Sequence, residues 1–146
     1  MAHAESSITV NQPINAVYAF VLDGSNNPLW RPAVISIQHK SDTPDALGAV
    51  YTQQLKGPGG RPIAGDYEVV ECQPNELIRF QVTAGPARPT GVFRFARAGD
   101  ATTVTFTLTY EPKGLARLLD PLIAQTMHSE VATLANLKAY LEAHRD

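Results

Sequence analysis

Cysteine is nearly absent from the sequence. Its 146 residues hold one, Cys72, which excludes an internal disulfide and any zinc site built on cysteine. Charge is also sparse. Charged residues make up 18%, and 12 Lys and Arg stand against 14 Asp and Glu, a net charge of −2. That leaves no basic field for a polyanion, so neither nucleic acid nor an anionic membrane is an expected partner. No run of 18 apolar residues exists, so no membrane-inserted helix is expected. The start, Met1-Ala2-His3-Ala4-Glu5, lacks the basic and apolar regions of a secretory signal. The four histidines, His3, His39, His128 and His144, show no ligand spacing, so neither a metal nor another cofactor is expected. No Gly-rich phosphate loop and no Gly-x-Ser-x-Gly elbow occur. What is present is 44% hydrophobic residues, enough for a globular core. The expectation is one cytoplasmic domain over residues 1–146.

Proline and glycine, 21 together, punctuate short segments. Ser6–Asn11 alternates as a first strand. Pro13 opens a short helix with Ile14, Val17, Tyr18 and Val21 at helical spacing, and Gly24–Pro28 breaks it. A second short helix or turn carries Leu29 and Trp30. Six strands follow, over Val34–Lys40, Val50–Lys56, Ile63–Cys72, Leu77–Thr83, Thr90–Arg97 and Thr102–Tyr110. Pro112-Lys113-Gly114 ends them. A long helix is expected over Leu115–Ala143, with Pro121 inside it as a kink or a restart. Its apolar stripe is Leu119, Ile123, Met127, Val131, Leu134, Leu137 and Leu141. At 1.5 Å per residue it spans roughly 43 Å, the full width of a sheet.

Pairing across the hairpin turns gives the faces. A turn centred near Pro86 sets Phe80 against Phe93. The Gly99-Asp100 turn sets Phe93 against Phe106, and the Pro74-Asn75 turn sets Tyr67 against Val82. All three put Tyr67, Val69, Ile78, Phe80, Val82, Phe93, Phe95, Val104, Phe106, Leu108 and Tyr110 on one apolar face. Parity adds Tyr51, Gln53 and Leu55, or Val50, Thr52 and Gln54 if strand three slips by one residue. Glu71 falls inward and Cys72 outward. On the outer face Arg79 and Arg94 oppose each other, as an anion site or a solvated pair. Polar groups on the inner face suit a ligand cavity between sheet and helix.

Ile8-Thr9-Val10, Pro13–Phe20, Asn26–Trp30, Tyr67–Glu71, Ile78-Arg79-Phe80, Thr103-Val104-Thr105 and Leu134–Glu142, in this order, resemble the START-like helix-grip superfamily (SRPBCC), most closely its polyketide cyclase/dehydrase branch. The resemblance implies an α+β fold: a seven-stranded curved antiparallel sheet around a long C-terminal helix, with two short helices after strand one. It also implies a deep cavity for lipid-, polyketide- or sterol-like molecules. It supplies no catalytic signature. In the abscisic-acid receptors of that superfamily, loops equivalent to Gly57–Gly60 and Gly85–Pro89 close over the pocket. Tight hairpin loops are the plainer reading of both.

The leading expectation is therefore binding of a small hydrophobic or aromatic molecule, without a cofactor. Its candidate lining is Tyr51, Gln53, Tyr67, Phe80, Phe93, Phe95, Phe106, Leu108, Tyr110, Ile123, Met127 and Glu130. The alternative is a cofactor-independent cyclase or dehydratase. In it Glu130, within the apolar stripe, or His39, at a strand end beside Ile35 and Ile37, moves a proton while tyrosines orient a carbonyl. Against these stand a Glu130 that snorkels to the helix edge and a His39 that is simply exposed. A third reading is a protein-interaction domain with a filled core. Trp30 is expected to pack the short helices onto the sheet edge. A homodimer fits the fold, but no residue pattern sets its geometry.

Overall fold

The structure, a computed structural model, describes residues 2–85, 87–111 and 120–144, the side chains at 2, 58 and 120–123 excepted. The elements in chain order are β1 (Ala2–Val10), α1 (Ile14–Leu22), a 3-10 segment (Gly24–Leu29), β2 (Val34–His39), β3 (Val50–Lys56), a 3-10 turn (Pro58–Gly60) and β4 (Pro62–Ala64). β5 (Tyr67–Gln73), β6 (Leu77–Val82), β7 (Thr90–Ala98), β8 (Ala101–Tyr110), α2 (Asp120–Ala132) and α3 (Leu134–Ala143) follow. Seven strands form a curved antiparallel sheet in the order β1-β8-β7-β6-β5-β3-β2, and β4 adds to β3. The C-terminal helices lie across this sheet, with both contacting β1. This is the helix-grip architecture that the order of segments implies.

Two strands differ from their expected bounds. β1 begins at Ala2, not Ser6, and pairs with β8 along its whole length, Ala2 opposite Tyr110. Its inward residue there is Ala4, fully buried but too small to register as a hydrophobic beat. The expected fourth strand is two strands. Gly65-Asp66 interrupts it, and the Asp66 carboxylate accepts the Gln53 backbone N–H at 3.1 Å, in place of a ladder bond.

The inner face is the expected one. Phe93 faces Phe106 and Phe95 faces Val104 across β7 and β8, and Tyr67 faces Val82 across β5 and β6. Strand three keeps the register that turns Tyr51 and Gln53 inward. The β6–β7 register is displaced by two residues from the expected one: Ile78 faces Phe93, and Phe80 faces Gly91. Two residues preserve parity, so the faces survive. Pro86, the expected turn centre, lies outside the described residues.

Register departures correct four assignments. The β5–β6 register shifts between Val69 and Glu71, which reverses parity beyond Val70. Glu71 therefore turns outward, opposite Arg79, and Cys72 turns inward against the core. Arg79 and Arg94 do not face each other. Their cross-strand partners are Val92 and Leu77, and Glu71 Oε1 accepts from Arg79 Nε at 3.0 Å. The β2–β3 register likewise shifts between Val34 and Ser36, leaving Ile35 exposed while Ile37 and His39 stay inward.

Within the described residues the long helix is broken at Thr133; the residues before Asp120, on which a kink or restart at Pro121 depends, lie outside them. α2 runs through Pro121, and the Thr133 hydroxyl donates to the Glu130 carbonyl, which also takes the Thr133 N–H. Such back-bonding competes with the helical ladder and bends it. Met127, Val131, Leu134, Leu137 and Leu141 of the expected stripe are buried. Residues 115–119, including Leu119, and the side chain of Ile123 lie outside the described residues. No described helix is long and apolar enough to cross a membrane.

Candidate functional site

Rings line the concave face in sequence. Tyr51 stacks on Tyr67 with centroids 5.1 Å apart, Tyr67 meets Phe80 at 5.3 Å, and Phe80 meets Phe93 at 5.9 Å. Phe93 stacks on Phe106 at 4.2 Å. Trp30 stands edge-on to both, at 6.1 and 6.5 Å. Trp30 therefore sits over the inner strands β7 and β8, and not at a sheet edge as expected. Its Nε1 is buried and, among the described residues, is the side-chain polar atom left without a hydrogen-bond partner. An orphaned buried donor costs about 1–3 kcal/mol.

Polar groups meet these rings at one end. The first turn after α1 places them. Gly24 lies so close to Tyr67 that a Cβ there would sit 2.1 Å from the hydroxyl. Arg31 N–H donates to the Asn27 carbonyl at 2.9 Å, closing one helical turn that turns both side chains inward. Asn27 Nδ2 donates to the Tyr67 hydroxyl at 3.0 Å and to Gln53 Oε1 at 3.2 Å. Gln53 Nε2 donates to the Gly65 carbonyl at 3.3 Å. Burial pushes the Tyr67 hydroxyl well above the usual tyrosine range, against the opposing pull of Arg31 and the Asn27 bond. Tyr51 is raised for the same leading reason. Both rings stay neutral at neutral pH.

Glu130 neither snorkels nor stands alone. Its Oε2 accepts from Arg31 Nε at 3.1 Å and from Nη2 at 2.8 Å. The ion pair joins the turn after α1 to α2, directly before the break at Thr133. His39 lies at the end of β2, tilted against Tyr51 at 5.1 Å. Its Nε2 donates to the Pro44 carbonyl at 2.9 Å, and Asp45 stands 3.8 Å from Nδ1. It is tied to its own loop.

Between these groups lies a partly enclosed cavity of ≈ 20 Å³, room for about one water molecule. Val21, Val69, Ile78, Phe80 and Phe93 form its apolar wall, and Asn27, Arg31 and Tyr67 its polar end. An open groove of ≈ 430 Å³ lies between Pro28–Pro32 and α3, with Trp30, Ala139 and Tyr140 among its lining. Trp30 borders this groove and packs on Phe93, which walls the inner cavity.

Of the candidate lining, Tyr67, Phe80 and Phe93 meet at this cavity, with Tyr51, Gln53 and Phe106 touching them or their partners. Phe95 packs edge-on against Tyr18 of α1 at 5.1 Å. Leu108, Tyr110 and Met127 are buried in the core cluster. Asn27 and Arg31 are not among the residues expected from sequence. Their i, i+4 spacing is a usable signal, but it falls between Gly24 and Pro32, where no apolar period marks a face. No three described His, Cys, Asp or Glu side chains gather as metal ligands.

The comparisons agree with this geometry. Residues 1–142 match the family described as polyketide cyclase / dehydrase and lipid transport, and the chain belongs to that family. A START superfamily protein from Mycobacterium smegmatis is similar over 99% of this chain and 100% of its own, with a TM-score of 0.83 at 16% identity. The protein TTHA0849 from Thermus thermophilus is similar over 99% of both chains, with a TM-score of 0.80 at 21% identity. The di-domain ARO/CYC BexL, of the BE-7585A biosynthetic pathway, is matched over 50% of its length and 98% of this chain, with a TM-score of 0.73 at 22% identity. At these identities the likeness is one of fold. No protein of curated function matches the sequence. Family and fold suggest a hydrophobic ligand-binding or polyketide cyclase-like role.

Proposed function

We propose that the chain binds a small hydrophobic or aromatic molecule between the sheet and the C-terminal helix. The observation that carries this reading is the partly enclosed space with aliphatic and aromatic walls and one polar end formed by Asn27, Arg31 and Tyr67. Ligand sites have this composition: apolar walls and a few placed polar groups. The cavity holds about one water, so a ligand of several rings enters only if a side chain yields its place. Trp30 is that side chain. It fills the middle of the grip, lacks a partner for its N–H, and borders an open groove into which it can turn.

Trp30 is the single tryptophan, so its emission reports the event without a label. Titration with 2-acetonaphthone should give a saturable shift or quenching of Trp30 emission and a matching calorimetric isotherm. Unchanged emission and no heat up to the solubility limit would remove the proposal.

A cyclase or dehydratase step is the second reading, favoured by one observation. Among the described residues the Tyr67 hydroxyl accepts from Asn27 and donates to nothing, so its proton is free to polarise a carbonyl. Recovery of a bound carbonyl compound chemically unchanged after prolonged incubation favours binding alone. Loss of water or a new ring favours the enzyme.

A further inference from the structure

Arg31 is the one charged residue among those lining the inner cavity. Two of its N–H donors, on Nε and Nη2, are already committed to Glu130 Oε2, at 3.1 and 2.8 Å. The pair is largely out of water, with side-chain exposures of 9% for Arg31 and 13% for Glu130. As a unit it is close to neutral. A carboxylate brought in by a ligand sets two buried anions against one cation. An uncompensated buried charge is among the most costly features a protein interior can carry.

A neutral oxygen meets no such penalty. One donor without an acceptor already lines the cavity: the Tyr67 hydroxyl, held by Asn27. Burial keeps the tyrosine protonated and so keeps it a donor. It gains a hydrogen bond from a carbonyl, ether or hydroxyl oxygen, which lowers the cost of its burial.

We propose that the Arg31–Glu130 pair is a charge filter: the site takes uncharged aromatic or hydrophobic compounds bearing an oxygen acceptor and rejects the corresponding carboxylates. This rests on the ligand-binding reading and narrows it. Glu130 is then a specificity residue, not a proton carrier, and it acts by satisfying Arg31 before a ligand anion can.

The test compares isosteres on the wild-type protein: 2-acetonaphthone against 2-naphthoate, and methyl cis-parinarate against cis-parinarate, by calorimetry at neutral pH. The neutral member of the pair that fits should bind at least ~10-fold more tightly. In Glu130→Gln the guanidinium is released, and the ratio should fall about tenfold or invert. If that variant does not fold, the wild-type ratio decides alone. Equal affinities, or a preference for the carboxylate, leave ligand binding standing and overturn the filter. Failure of all four compounds to bind takes away the binding reading and the filter with it.

Discussion

Tyr67 brings a hydroxyl into a wall otherwise made of aromatic carbon, and the chain supplies Asn27 to hold it. Burial raises its pKa and that of Tyr51, and lifts Tyr18 from 10.0 to about 12 beside Cys72. The folded chain therefore holds these protons at a pH where the unfolded chain has released them. Above the unfolded value each further pH unit favours unfolding, so stability that is complete at lower pH is lost as pH rises towards the folded values. Urea midpoints measured from about pH 9 to about pH 11.5 should fall steadily in wild type and less steeply in Tyr67→Phe. A wild-type midpoint that stays flat across this range contradicts the burial of these hydroxyls. Parity alone brings Tyr51, Gln53 and Tyr67 to one face, because hairpin turns flank their strands and alternation needs only a starting point. Arg31 and Asn27 have no such guide. They sit in a one-turn segment between Gly24 and Pro32, and what turns them inward is a backbone bond of 2.9 Å that leaves no periodic trace.

At the scale of elements, the sheet reaches its shape through departures from regularity. The bulge beyond Val69 exchanges the faces of Glu71 and Cys72, and the shift beyond Val34 leaves Ile35 outside. An extra residue in a strand alters pairing without altering composition, so Glu71 and Cys72 read backwards from parity. The helix break is similar: Thr133 interrupts the ladder with its own hydroxyl, which leaves no mark on the apolar stripe. Gly91 shows how closely β6 and β7 are fitted. Phe80 lies across it, and a Cβ there would stand 2.1 Å from the ring's Cζ. Gly91→Ala should push this ring towards the cavity it walls. The expected outcome is a stability loss of about 1–3 kcal/mol in denaturant titration and weaker binding of 2-acetonaphthone. Wild-type stability and affinity in this variant would mean that Phe80 is not wedged between β7 and the cavity.

For the whole molecule, the order of segments carries the fold. One strand, two short helices, a run of antiparallel strands and a long amphipathic helix leave few ways to bury the stripe from Met127 to Leu141 other than across a curved sheet. How little of the interior is empty is not legible from the sequence. It depends on where Trp30 lies, and one tryptophan between Leu29 and Arg31 reads equally as a surface wedge or as the plug of the grip. The central claim is that the plug yields to a hydrophobic molecule. Native mass spectrometry tests it most directly, on freshly purified protein and on protein stripped of small molecules and then exposed to an organic extract of the host cells. The account predicts, in at least one sample, a species heavier than the chain by the mass of an uncharged hydrophobic compound that is released on denaturation. The bare chain mass in both samples would contradict it.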